Sequence, residues 1–272
     1  VLSNGVTTVH TGHAPGATAS GQTMIAKTAY NTVEEAVLDS VTTVAFTFGS
    51  GVGNNFDTPG TRSKNVATLR QHFLKAEEYL EKRKDGEAEQ NLQMDIMADV
   101  LEGKVLATFT AQKAHDIMSV LRLQEEFGFE MVLDGAAEIY EVMDEVKESG
   151  SPVFIHPTMV RPSGDTESAS FETAKQLKEA GIPFAFQSGF EAYVPKTRIV
   201  LFEAGIAVAN GLAPEDALRA LTVDAARILG VENRIGSLKE GKDADLVLFN
   251  GDPFEYTTIA KKVIVDGNVV GE

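Results

Sequence analysis

The run KVLATFTAQKAHDIMSVLRLQEEFGFEMVLD, residues 104–134, carries the pattern that decides the fold. Residues 104–110 are apolar and β-branched, 115–127 read as a helix, and Gly128 stands where a left-handed C-terminal cap belongs. A second apolar run follows at 130–133. A helix that ends and gives way to a strand within two to four residues is a βα unit of a parallel sheet.

The same alternation extends in both directions. Further strands are predicted at 5–11, 23–28, 41–48, 152–156 and 182–187, most of them apolar on both faces, as strands covered on both sides must be. Val66, Leu69, Phe73, Ala76 and Leu80 fall at steps of three and four, with Lys75, Glu77, Glu78 and Glu81 on the solvated face. Met94, Met97 and Leu101, with Ile96 and Val100, mark a second helix with methionine as core filler. Helices follow at 137–148 and 171–180, closed by Gly150 and Gly181, and then two in succession at 197–210 and 214–229. The last opens with Pro214 in its first turn and stops at Gly230.

Seven strands with helices between them are one short of a closed (β/α)8 TIM-type barrel. The expectation is an α/β barrel over 1–235 whose first βα unit precedes Val1. Residues 236–272 are expected to form a small β element belonging to a β-sandwich, with strands at 244–249, 262–265 and 268–270 and a hairpin at Asp266-Gly267. The stretches 12–22, 49–62 and 157–170 read as loops over the C-terminal edge of the sheet, where barrels place their chemistry.

Composition narrows the functions. With 272 residues, 40 acidic against 24 basic side chains and a net charge of −16, the chain is a poor partner for nucleic acid. The absence of Cys excludes thiolate catalysis, disulfides and Cys-based metal sites, so five His carry any imidazole chemistry. No apolar run approaches the ~20 residues of a membrane-spanning helix. A start at Val1 fits a fragment or a processed, exported protein and leaves the compartment open.

The segment LAPEDALRALTVDAARILGVENRIGSLKEGKDADLVLFNGDPF, residues 212–254, resembles the closing segment of the metal-dependent amidohydrolase superfamily, in its imidazolonepropionase-like branch. GVTTVHTGHAPGATASGQ (5–22) and residues 181–189 resemble its second-strand and last-strand segments, so the likeness spans nearly the whole chain. It implies a barrel that hydrolyses C–N bonds in amides or cyclic amides with a metal-bound water. In the tail, Lys242, Asp243 and Asp245 read as surface or turn residues.

The resemblance also implies a ligand set: His-x-His on the first strand, an acidic residue or modified Lys on a middle strand, His on the next two, and Asp on the last. The first-strand position falls before Val1, so this chain does not carry that pair. At the other positions this chain places Ser50, then Thr110 and Gln112, then Gly135, then Gly189. None is an anionic or imidazole donor, so these read as vestigial positions of a lost site with no resident metal.

Against this stands a rebuilt site. His10, His13, Asp134 and His156 fall at or just past predicted strand ends and are expected to line the pocket. His10, His13 and His156 would then hold zinc and Asp134 would move protons. His72 and His115 belong to helix surfaces, and Ser188 near Glu191 has no His fixed beside it, so it reads as structural.

The first expectation is therefore a barrel that has lost catalysis and serves as a structural or interaction subunit or half. It would pair with itself, as a homo-oligomer, or with another amidohydrolase-like chain or segment that covers its open strand edges. The alternatives are an active zinc hydrolase and a binding module that keeps the pocket for a small ligand.

Overall fold

The structure, a computed structural model, describes residues 1–55, 58–156, 163–190 and 196–271. Its centre is a six-stranded sheet with the order β2-β5-β6-β7-β8-β9, made of Ala19–Gln22, Thr43–Thr47, Leu106–Ala111, Met131–Gly135, Val153–Ile155 and Phe184–Phe186. The last five are parallel, as their two-sided apolar pattern predicts, and β2 joins antiparallel to β5.

The two earliest predicted strands do not enter this sheet. Thr8–Thr11 (β1) pairs antiparallel with Met24–Lys27 (β3), and Val37–Asp39 (β4) completes a separate three-stranded sheet. Apolar alternation shows that a stretch is extended and leaves its neighbour undetermined, which is why 5–11 and 23–28 read as barrel strands. The 12–22 loop likewise contains β2, whose Ala-Ser-Gly-Gln sequence lacks β-formers. The sheet is thus a five-strand parallel arc with an antiparallel edge, and its ladder does not close among the described residues.

Alternation along the strands divides the core in two. Val44, Phe46, Phe109, Leu133, Ile155 and Phe184 face outward into the main core against the helices. There Phe46 stacks on Phe109 at 4.8 Å, and Phe129 lies 4.7 Å from Phe73 of the long helix Arg62–Lys84. Val132, Phe154 and Ala185 face the concave side in a smaller cluster completed by Leu106, Ala225, Ile228 and Leu229.

The helices are Val33–Ala36 (α1), Ser50–Asn55 (α2), Arg62–Lys84 (α3), Leu92–Leu101 (α4), Ala114–Phe127 (α5), Met143–Ser149 (α6), Thr173–Ala180 (α7), Val200–Ala209 (α8), Pro214–Leu221 (α9) and Val223–Ile228 (α10). Gly128, Gly150 and Gly181 are left-handed C-caps as expected. The helix predicted at 137–148 is a 3-10 turn at Ile139–Glu141 followed by α6. Its first residues are diverted because Glu138 accepts from the Ala114 N–H at 3.0 Å and from Lys113 Nζ at 3.0 Å, capping α5 instead. The helix predicted at 214–229 breaks at Thr222, onto whose carbonyl Gly236 packs.

The tail forms its own antiparallel sheet of Leu246–Phe249 (β10), Ala260–Val265 (β11) and Asn268–Gly271 (β12). Asp266 and Gly267 both have positive φ, as a two-residue hairpin turn requires. This sheet rests on the N-terminal segment: a Cβ at Gly5 would lie 3.1 Å from Val247 Cγ1.

Candidate functional site

The concave face of the arc, β1 and helices α9 and α10 enclose a cavity of about 310 Å³. Register determines what reaches it. Thr47, Thr110, Asp134, Phe154 and Ala185 stand in one row across β5 to β9, so their side chains share the concave side at the same height.

Asp134 is the charged residue of that row, and it is buried. Thr110 Oγ1 donates to its Oδ2 at 2.6 Å, and Gln187 Nε2, one residue past β9, donates to Oδ1. Burial pushes its carboxyl up to about 6, against these two hydrogen bonds. Gln187 was not legible as a site residue, because only the β7–β9 register brings it to Asp134.

His10 lines the same cavity from β1 and meets Thr23 Oγ1 at 2.7 Å. From there a chain of hydroxyls runs beneath the floor: Thr23 to Thr43 at 2.8 Å and Thr43 to Thr108 at 2.8 Å. Burial lowers the His10 pKa to about 4, with Asp39 opposing, so the imidazole is neutral at pH 7.

His13 also lines the cavity, whereas His156 does not; its Nδ1 faces Glu203 Oε1 at 3.9 Å. The structure thus brings His10, His13 and Asp134 to one cavity and leaves His156 outside it. No group of three His, Asp or Glu is placed to hold a metal ion among the described residues. His72 on α3 is half-buried and His115 on α5 is exposed. Ser188 Oγ pairs with Thr197 Oγ1 at 2.9 Å, and its suggested neighbour Glu191 lies outside the described residues, as do residues 157–162 of the third loop.

The positions that the family resemblance assigns to metal ligands carry neutral side chains or none. Ser50 Oγ donates to Asp165 Oδ2. Thr110 is spent on Asp134. Gly135 has φ +83°, and a Cβ built there would overlap the Gln112 amide, with Cδ and Oε1 both at 2.8 Å. Gln112 is fixed in that place because its Oε1 accepts from the Ala137 N–H at 3.2 Å. Gly189, with φ +73°, lines the cavity without a side chain. A zinc ion needs several anionic or imidazole donors converging on one point, and this set does not fit it.

Comparison with known proteins bears on the family. An amidohydrolase structure from Thermotoga maritima is 31% identical and superposes over 99% of this chain and 73% of that one, with a TM-score of 0.93. The chain belongs to the amidohydrolase family. The family's own profile, described as "Amidohydrolase family", matches residues 191–270, which include the 212–254 segment. Imidazolonepropionases from Thermoplasma volcanium and Shouchella clausii are 29% identical over 137 residues and 31% identical over 112. These matches take in 48% and 36% of this chain, but only 33% and 25% of the two relatives. The chain thus matches a third or less of the length of these amidohydrolase relatives. A zinc-bound adenosine deaminase from Xanthomonas campestris, 18% identical with a TM-score of 0.53 over 84% of this chain and 60% of that one, shares the fold alone.

Proposed function

We propose that this amidohydrolase barrel has lost hydrolysis and works as a structural or interaction half, completed by a second copy or by another amidohydrolase-like segment. The observation that carries the reading is the interlock of Gln112 and Gly135, in which one vestigial position occupies the space a side chain at the other would need. The unclosed ladder supports the second part, since among the described residues β2 and β9 end the sheet as open edges that a further strand would cover. Within this reading residues 1–235 are the barrel portion and 236–272 the strands of a small β-sandwich.

The test is direct. Protein purified from zinc-supplemented cells is expected to hold no stoichiometric zinc, to leave cyclic amides such as imidazolonepropionate intact, and to sediment as an oligomer. Tightly bound zinc at about one ion per chain, with turnover, overturns the proposal.

One observation favours the second reading, an active hydrolase of amide or cyclic amide bonds. Asp134, with its pKa raised to about 6 inside a cavity, has the character of a general base. On that reading Asp134→Asn abolishes turnover.

A further inference from the structure

We propose that the cavity is a binding site for a small organic ammonium or amidinium ion with a short apolar body, held by Asp134. The inference goes beyond the scaffold reading and stands whether or not the chain hydrolyses anything.

Charge and geometry carry it. Asp134 is buried, lines the cavity, and among the described residues receives only two neutral donors, the Thr110 hydroxyl and the Gln187 amide. A carboxylate has roughly four lone-pair positions, so about half of its accepting capacity remains. No Lys or Arg lines the cavity among the described residues, His10 is kept neutral by burial, and His13 is exposed and forms no ion pair with Asp134 among the described residues. A buried carboxylate without a cation is costly, and the cavity provides room for one.

The walls define what the cation is attached to. Phe154 and Phe190 line the cavity together with Val9, Leu221 and Leu229. Aromatic faces attract an organic cation, and the aliphatic side chains suit a hydrocarbon body. A hydrated metal ion gains nothing from such walls, and an anion would face Asp134 unscreened. A volume of about 310 Å³ is at the low end of the ~300–1,000 Å³ of ligand pockets, which matches a compact molecule.

Isothermal titration of the full chain with benzylammonium and with its neutral isostere benzyl alcohol, at pH 7.5, tests the assignment. Benzylammonium is expected to bind about 10–100-fold more tightly, the ratio a charge-assisted hydrogen bond supplies, and Asp134→Asn is expected to erase that preference while keeping the weaker binding of benzyl alcohol. Equal affinity of the two probes, no binding of benzylammonium, or a preference that survives in Asp134→Asn overturns the proposal. So does one-for-one displacement of benzylammonium by zinc, which would make the site a metal site. If Asp134→Asn does not fold, a crystal of the wild-type protein soaked in benzylammonium decides: nitrogen beside Asp134 supports the assignment, and nitrogen elsewhere overturns it.

Discussion

Lys27 Nζ lies 3.2 Å from Asp245 Oδ1, a residue 218 positions further along the chain. Asp243 Oδ2 is 2.8 Å away, Asp266 closes the cluster, and the lysine side chain is only 2% exposed. One buried ammonium thus ties β3 of the N-terminal sheet to the turn residues of the C-terminal sheet. Burial alone would lower the Lys27 pKa, but the three carboxylates outweigh it and raise it. For Asp266, burial pushes upward, and the bonds from Lys27 and Tyr30 more than reverse it.

Removing the cation leaves three carboxylates crowded together, with only Arg234 on Asp243, the Tyr30 hydroxyl on Asp266 and the Asp266 N–H on Asp245 remaining among the described residues. Lys27→Met is therefore expected to cost about 3–5 kcal/mol in urea unfolding, far more than an exposed pair would. The double variant Lys27→Met with Asp245→Leu should recover part of that loss. Because the Asp266 pKa is depressed in the folded state, its contribution is complete above the unfolded carboxylate pKa and is lost as pH falls through the folded value. Proteolysis near the 266–267 turn should therefore increase in acid in the wild type and depend less on pH in Lys27→Met, and a wild type cut at the same rate at every pH would contradict this.

That cluster also marks the limit of what the sequence conveys. Asp243 and Asp245 read as surface residues because a carboxylate usually is one, and nothing local indicates a lysine more than 200 residues away. The parallel strands from 41–48 to 182–187 were legible because burial on both faces leaves a continuous apolar run. The N-terminal strands were legible as strands but not in their pairing, since 5–11 and 23–28 alternate equally well in either sheet. At the site, His10, His13 and Asp134 could be placed from their positions at strand ends, whereas His156 could not, since a side chain at a strand end can turn toward a helix, here α8 with Glu203. Gln187 and the threonine chain were hidden because hydroxyls and amides gain meaning only from register.

His10 and Asp134 should make the stability of the wild type deceptively flat in acid. The Asp134 pKa is raised from 3.8 to about 6, so the folded state binds the extra proton and stability falls as pH rises through that window. The His10 pKa is lowered from 6.5 to about 4, so the folded state rejects a proton and stability rises over nearly the same window. Each is worth roughly 3 kcal/mol, with opposite sign. Urea unfolding between pH 4 and 6.5 is expected to show a slope that rises with pH in Asp134→Asn and one that falls in His10→Gln. Two variants that both track the wild type would remove the paired-titration account.

Thr43 is the hinge of the buried hydroxyl chain, touching Thr23 and Thr108 at 2.8 Å each, and it is fully buried. Thr43→Val keeps the shape and removes the shared oxygen, leaving Thr108 without that acceptor. A loss of about 1–3 kcal/mol is expected in thermal or urea unfolding, the cost of a buried donor left unsatisfied. Thr108→Val, at the end of the chain, removes a donor whose acceptor keeps Thr23, and should cost less. Equal losses would show that the chain is not linked as described.

Substitution of Gly135 should be costly for two separable reasons. Its φ of +83° strains any residue with a Cβ, and that Cβ would also meet the Gln112 side chain. Gly135→Ala is expected to destabilise by at least ~2 kcal/mol, with strain and overlap both contributing. Gln112→Ala alone removes the bond to the Ala137 N–H and should cost about 1 kcal/mol. In the double variant the overlap is relieved while the backbone strain stays, so the combined loss should be smaller than the sum, with a coupling of about 0.5–3 kcal/mol in the double-mutant cycle. The same cycle with Gly135→His adds a reading of function. If Gly135→His with Gln112→Ala folds and takes up zinc that neither single variant holds, Gln112 is the residue that keeps this part of the site closed to metal; additive losses without zinc uptake would show that the two positions are independent.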